Sequence, residues 1–397
     1  MPRSRNVGGR NAPLTAMFRW LLRATGVALV LLLAAAAALK LVYGGGAEFP
    51  DRSTEPALPA AALEVVATLD TPPGNIAVSA TGRVFLTLHP EARPDVSVIE
   101  WVDGQARPWP SASFQHPKGD ADGFRNVLDI RIDRQGRLWA LDNGHHGLHH
   151  PALYGFDLAS GNLVHRYRFP SELAPLGSHL NDFQVSLDGQ RIYIADASLF
   201  RKDPAIVVYD IEQQHARRVI SDHESVIAER YLPQVQGRRM EAFGLVAIRP
   251  GVDSIALSRD GRWLYFAPIT NNHLYRVATR YLDDPALDPA TVASRVERYA
   301  LKTMSDGITT DDAGNVYLSD PEHSAIIELD PERELTTLIR DERLRWPDGF
   351  SFGPDGWLYV TGSALHQVIA RPAESIPANA PYPVYRFKPG PTAAAGH

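Results

Sequence analysis

Asn181, Asp253, Asp306 and Asp348 each stand eight residues ahead of a glycine, namely Gly189, Gly261, Gly314 and Gly356. In each copy the acid or amide leads a short apolar run, the glycine, and a second run rich in aromatic and branched residues. Side chains that recur at one position of a repeat come together when the repeats are arranged round an axis. Three carboxylates gathered that way repel one another unless a cation lies among them. Oxygen donors of this kind suit a hard divalent ion, calcium, magnesium or manganese, with zinc as the softer alternative. The competing use is local, because Asp and Asn at a strand start also bond adjacent turn amides. Two further copies carry Gly74 and Leu128 at the same position. One place later stand Asn75, Asp129, Asp182, Ser254, Gly307 and Gly349.

Histidine supplies a second chemistry. DNGHHGLHHP holds His145, His146, His149 and His150, and His179 lies just before Asn181. An imidazole beside a channel moves protons near neutral pH, so His179 joins Asp253 and Asp306 as a candidate catalytic residue. The glycines and the proline around the other four argue against a helix that would pair them on a metal, and a solvated loop is the plainer use. The chain has no cysteine, which removes disulfides, thiolate nucleophiles and zinc–thiolate centres. It also lacks a GxSxG elbow, a phosphate-binding glycine loop with lysine, and an HExxH pair.

The elements that must position these groups recur six times. The copies are NIAVSATGRVFLTL, DIRIDRQGRLWALD, DFQVSLDGQRIYIAD, SIALSRDGRWLYFAP, GITTDDAGNVYLSD and GFSFGPDGWLYVTG. Their glycines, starting from Gly82 and Gly136, are spaced by 54, 53, 72, 53 and 42 residues. Apolar alternation on both sides of a glycine turn marks a β-hairpin. Six hairpins at blade-like spacing, with strand-like segments between, predict an all-β, six-bladed β-propeller. If the first strand of each hairpin is innermost, the acids and amides crowd one mouth of the channel, joined by Asp142, Asp196 and Asp320 from the second strands. Phe85, Trp139, Tyr193, Tyr265, Tyr317 and Tyr359 recur at one position and are expected to pack between blades. The long spacing before Gly261 implies a helix or long loop at the fourth blade. Strands near Leu63 and Val384 are the candidates that close the ring.

The N-terminus differs in kind. Arg3, Arg5, Arg10, Arg19 and Arg23 precede the first acidic residue, Glu48, and an uncharged run covers residues 24–39. Taken to Tyr43, with Lys40 snorkelling, that segment has the roughly 20 residues that cross a bilayer. Five arginines ahead of it predict a cytoplasmic N-terminus and a body on the far side, in the periplasm or outside the cell membrane, or secreted if the segment is a cleaved signal. The expected organisation is a basic segment 1–23, a membrane or signal segment 24–43, a linker 44–62, the propeller 63–390 and a tail 391–397. With 40 basic against 46 acidic residues, the chain lacks the basic surface a nucleic-acid partner requires. The membrane, through the helix, and a small molecule at the channel mouth are the partners expected.

Asn181-Asp182, Asp253, Ser305-Asp306-Gly307 and Pro347-Asp348-Gly349, each leading a strand and a glycine turn, resemble the senescence-marker/gluconolactonase superfamily of six-bladed propellers. GRLWALDNG, LNDFQVS, DSIALSRDGRWLYFAPITNNHLYRV, SDGITTDDAGNVYLSDPEHSAI and WPDGFSFGPDGWLYVTG are more specifically similar to bacterial relatives of the Yellow and major royal jelly proteins. The resemblance implies that Asn181 and Asp253 hold a cation, because metal-dependent lactonases place an Asn and an Asp there beside a glutamate from the first blade. Gly74 occupies that first-blade position, so Asp306 or Asp348 would complete the set. It also implies, as other outcomes, a non-catalytic propeller that binds a small molecule or a partner, or a tautomerase of Yellow type. Among these the leading expectation is a metal-dependent hydrolase of a lactone or similar small cyclic ester.

Overall fold

The computed structural model describes residues 12–115, 117–119 and 121–396. Six four-stranded antiparallel sheets make up the propeller. Their first strands are Pro73–Val78, Val127–Ile132, Leu180–Val185, Val252–Leu257, Ile308–Thr310 and Pro347–Phe352. Each touches the first strand of the neighbouring blades, and the sixth touches the first, so these inner strands ring a central channel. The six turn glycines all have positive φ, from 69° at Gly189 to 92° at Gly314, which glycine adopts without steric cost. The repeat therefore reports the blades correctly.

Closure joins the two ends of the propeller. Tyr382–Phe387 pairs with Glu64–Leu69, so the sixth blade takes its outermost strand from the N-terminal side. Both segments expected to close the ring do so. Arg386 adds an ion pair to Glu64 at 2.9 Å. The recurring aromatics are buried where one blade meets the next. Trp139 packs with Leu180, Phe183 and Val185 of blade 3, Tyr317 with Phe350 and Phe352 of blade 6, and Tyr359 with Ile76 and Val78 of blade 1. Burying one such side chain stabilises the fold by about 2–3 kcal/mol. The polar ends are satisfied as well: Trp139 donates to Asp133 at 2.7 Å and Tyr317 to Asp311 at 2.6 Å.

The long spacing before the fourth blade holds no helix. Residues 222–251 form a connection with two short hairpins, Gln234–Val235 with Arg238–Arg239 and Glu241–Ala242 with Val246–Ala247. Pro233, Gly237, Gly244 and Pro250 interrupt any helical run there. Residues 44–62 carry little regular structure, yet from Ala47 onward they are fixed. Ala47 bridges to Tyr231, Phe49 is buried with Met240, Met304 and Trp346, and the Ala57 and Leu58 amides donate to Thr337 and Leu338 at 2.9 and 2.7 Å. At the other end the Gly396 amide donates to Phe352 at 3.0 Å.

A second compact unit comprises the N-terminal helix Ala12–Tyr43, residues 44–46 and residues 241–247. Inside it Lys40 reaches Glu241 at 2.5 Å and the Gly244 carbonyl at 2.9 Å. From Met17 to Tyr43 the helix offers 27 residues, long and apolar enough to cross a bilayer, with none of that stretch buried. Its length and composition meet the requirement of a signal or membrane anchor. The helix begins before residue 24 and carries Arg19 and Arg23, while Arg3, Arg5 and Arg10 lie outside the described residues.

Trp139→Ala is expected to destabilise the propeller by about 3–5 kcal/mol, through lost burial and the cavity left between blades 2 and 3. Urea denaturation followed by tryptophan fluorescence measures it. A change below about 1 kcal/mol would show that this contact between blades does not carry the stability assigned to it.

Candidate functional site

The inner strands begin with breaks in register between Pro73 and Ile76, Leu180 and Phe183, Val252 and Ser254, and Pro347 and Phe350. Such bulges lift residues off the ladder and re-aim their side chains. Asn75, Asn181, Asp182, Asp253 and Asp348 are the residues released. Hydroxyls of the second strands take up the freed backbone groups. Thr87 Oγ1 accepts the Asn75 amide at 2.7 Å and donates to the Leu128 carbonyl at 2.8 Å. Thr361 does the same between Gly349 and Gly74, at 2.9 and 2.7 Å. Glycine makes the crowding possible: a Cβ on Gly307 would lie 1.8 Å from the Asp348 carbonyl oxygen, and one on Gly349 2.5 Å from Asn75 Oδ1.

The structure thereby gathers Asp253, Asp306 and Asp348 with Asp182 at one mouth, and each feels the charge of others in the set. Their hydrogen bonds differ. Trp346 Nε1 donates to Asp306 Oδ2 at 2.5 Å, and Ser363 Oγ donates to Asp348 Oδ2 at 2.8 Å. Asn75 Nδ2 donates to Asp182 Oδ1 at 3.4 Å. Asn181 Oδ1 and Asp253 Oδ1, from neighbouring blades, are buried without any partner. Beneath them Arg131 reaches Asn75 Oδ1 at 3.0 Å, the Phe183 carbonyl at 3.3 Å and Asp129 at 3.4 Å.

Burial raises every carboxyl of the group. It brings Asp182 to about 6, against the pull of Arg131 and Asn75. It brings Asp306 to about 7, although the Trp346 bond opposes the rise. Asp253 and Asp348 are held well above the ordinary carboxylate range by burial and then by Asp306 and Asp182. One guanidinium cannot neutralise so many acids, so without another cation some of them keep their protons. The donor set fits a hard divalent ion in kind, because two buried oxygens already lack partners. As the side chains stand, however, no three carboxylate or imidazole groups among the described residues are placed to hold one ion.

Other expected residues serve elsewhere. Asp142, Asp196 and Asp320 end second strands at this face but are committed to loops. Asp142 accepts the amides of Arg125 and Gly144 at 2.5 and 2.9 Å, Asp196 those of His179 and Ser198 at 2.8 and 3.0 Å, and Asp320 the Thr303 hydroxyl at 2.5 Å. They sit one strand away from the channel, which explains the difference. His179 stands beside His146, with ring centroids 4.5 Å apart, and burial first and His146 second lower its pKa to about 3. Sequence reasoning missed Arg131, Trp346, Ser363 and Lys302. Lys302 is buried, donates to the carbonyls of Ile269 and Thr303 at 2.9 and 3.0 Å, and is lowered by burial to about 7. Only Arg131 left a signal, a charge within the apolar alternation of an inner strand.

Comparison with known proteins agrees with this architecture. The family described as Major royal jelly protein matches residues 126–371, more than half of the chain. Major royal jelly protein 3 of Apis mellifera is 27% identical over 223 residues, covering 53% of this chain and 39% of that protein. L-dopachrome tautomerase yellow-f of Drosophila melanogaster is 23% identical over 127 residues, covering 28% of this chain and 29% of that protein. The matches therefore span well under half the length of these relatives. A gluconolactonase from Xanthomonas campestris superposes with a TM-score of 0.52 at 15% identity, covering 87% of this chain and 98% of that one, which is a likeness of fold.

The raised carboxyls set the pH response of the metal-free protein. The folded state holds protons that the unfolded chain, with carboxyls near 3.8, has already released. Stability from these groups is therefore lost as pH rises through their folded values. The buried His89 and His179 act oppositely below about 6.5, their unfolded value, and Lys302, lowered to about 7, acts oppositely above it. Between pH 6.5 and 8, in the presence of EDTA, each carboxyl that ionises in that window is expected to lower unfolding free energy by roughly 1 kcal/mol, against the rise that Lys302 contributes. Asp306→Asn removes one such carboxyl and should make the slope less negative. Urea denaturation of both proteins at several pH values checks it, and equal slopes refute the assignment.

Proposed function

The chain belongs to the major royal jelly protein family, and on that footing we propose that its channel mouth opens a lactone or similar small cyclic ester with the help of a divalent cation. The observation that carries this reading is the pair of buried, unpartnered oxygens, Asn181 Oδ1 and Asp253 Oδ1. They belong to the two residues that the resemblance to gluconolactonases assigns to a cation. Leaving such atoms dry costs about 1–3 kcal/mol each, a cost that an ion removes. Asp306, fixed by Trp346, and Asp348, fixed by Ser363, complete an all-oxygen set in place of the first-blade glutamate.

A bound cation of this type polarises a ring carbonyl and makes water easier to deprotonate. The remaining work falls to the chain. Arg131 and Asn75 hold the floor of the mouth and orient Asp182. Asp182 is the carboxylate left to accept a proton from the attacking water and return it to the departing ring oxygen. The inner-strand bulges keep these groups on the sheet rather than on loops, which preserves their geometry between turnovers. The apolar helix, retained as an anchor or removed as a signal, carries the propeller beyond the cytoplasmic membrane, with Arg19 and Arg23 toward the cytoplasm.

Arg131 and Gly74 favour a second reading. A fixed guanidinium already lies under the acids, and no carboxylate occupies the first-blade position. A mouth of that kind suits the binding of a small polar molecule, or proton transfer without hydrolysis as in the tautomerase relative.

Metal analysis of the full-length protein beside Asp253→Ala separates the two. About one divalent ion per chain, lost in the variant together with activity on a lactone panel, is the expected result. Trp346→Phe, which frees Asp306, is expected to weaken the ion about 10- to 100-fold. An ion-free wild type that opens no lactone overturns the hydrolase reading and leaves the binding one.

A further inference from the structure

The hairpin that pairs Glu241–Ala242 with Val246–Ala247 belongs to the same compact unit as the N-terminal helix, and it closes on the end of that helix. Glu241 Oε1 accepts from Lys40 Nζ at 2.5 Å and from the Gly45 amide at 2.9 Å. Lys40 also donates to the Gly244 carbonyl at 2.9 Å. These bonds leave the Glu241 side chain only 9% exposed. Gly44 lets helix end and hairpin approach, since a Cβ there would lie 2.5 Å from the Leu245 carbonyl oxygen. Among residues 17–43 only Ala36 and Lys40, four apart and so on one face, are partly covered.

The tip of this hairpin is unfavourable in water. The Leu245 amide donates to the Ala242 carbonyl at 2.9 Å, which makes Phe243 and Gly244 the central residues of the turn. Both are left-handed, at φ 51° and 68°. Such turns favour Asn, Asp or Gly at the first central place, and a bulky aromatic there is strained. The Phe243 side chain is also 89% exposed, more than any other large apolar residue among those described, Leu41 of the helix included at 75%. A ring that is both strained and unburied gains nothing from water. Backbone strain of this kind is kept where a position has work to do, and the work open to a bare ring is to enter an apolar medium.

We propose that the Glu241–Ala247 hairpin is a membrane-surface element, which clips the exit of a retained N-terminal helix and seats Phe243 between the headgroups and acyl chains of the far leaflet. The proposal rests on the reading of the helix as a membrane segment and goes beyond it, because it requires the helix to be kept. Depth along the helix supports it. The hydrocarbon core of a bilayer is about 30 Å thick, which takes about 20 helical residues. Arg23 and Lys40 bound the uncharged run and snorkel toward opposite headgroups, so the helix leaves the hydrocarbon near Tyr43. Glu241 is bonded to Lys40 and Gly45 at that level, and Phe243, two residues further on, lies within about 7 Å of it. The ring thus falls in the interfacial layer, where aromatic side chains of membrane proteins collect. Lys40 and Glu241 pair with each other there, which is how charges are held close to lipid.

The chain has no cysteine, so Phe243→Cys labelled with an environment-sensitive fluorophore reports on this one place. The full-length protein is reconstituted in phosphatidylcholine–phosphatidylglycerol bilayers, with and without a lipid spin-labelled near the headgroup end of its acyl chain. Emission at Phe243→Cys is expected to shift to the blue. Its quenching should be at least about twofold that at Val65→Cys or Val164→Cys, exposed positions on the outer strands of blades 6 and 2. Tyr43→Cys, at the helix end, should be quenched as well and reports the anchor by itself. Quenching at Tyr43→Cys with none at Phe243→Cys, or no more there than at the two outer-strand positions, overturns the hairpin's role and leaves the anchor standing. No quenching at Tyr43→Cys, or an intact mass of membrane-extracted protein that lacks the helix, overturns anchor and hairpin together. Adding Glu241→Ala to Phe243→Cys is expected to abolish the quenching there but not at Tyr43→Cys, and unchanged quenching overturns the clip.

Discussion

One antiparallel pairing holds the rest in place, that of Glu64–Leu69 with Tyr382–Phe387. A propeller is a chain of blades that each bury one face against the next, and an open chain would leave two of those faces in water. Joining the ends in the sixth blade makes the number of blade contacts equal to the number of blades. It also obliges the six inner strands to converge. The acids of blades 3, 4, 5 and 6 share a mouth only because the strands that bear them share that ring.

Convergence creates the electrostatic problem at the centre of the molecule. Asp182, Asp253, Asp306 and Asp348 are buried and mutually repelling, and burial raises all four. Arg131, Trp346 Nε1, Ser363 and Asn75 relieve part of the strain. What is left uncompensated is a pair of buried oxygens, Asn181 Oδ1 and Asp253 Oδ1. One layer outward, His146 and His179 also keep buried nitrogens without partners.

The two clusters are built by different means. The channel set stands on strand starts, released by bulges and braced by hydroxyls such as Thr87, Thr361 and Ser319. The histidine set stands on loops, and strained backbone at His145 and His146 takes the place of a ladder. Strand placement makes the first set rigid.

The sequence by itself determined the blades, their number, the closing strands, the register of the recurring aromatics and the apolar N-terminal helix. Each of these depends on patterns among near neighbours in the chain: alternation about a glycine turn, a repeat spacing, a run without charges. The sequence also placed Asn181, Asp253, Asp306 and Asp348 at one mouth, because one repeat position becomes one place when blades circle an axis. Tertiary structure alone decided which of their oxygens stay free, since Trp346 and Ser363 reach the acids across bulges and loops that no repeat encodes. It decided that Asp142, Asp196 and Asp320 bind loop groups, that the long connection of residues 222–251 carries two hairpins rather than a helix, and that Arg131 lies beneath the acids. It also brought Glu91, His146 and His179 together. Those three come from loops of different blades, whose lengths follow no common period, so only the closed ring sets the distance between them.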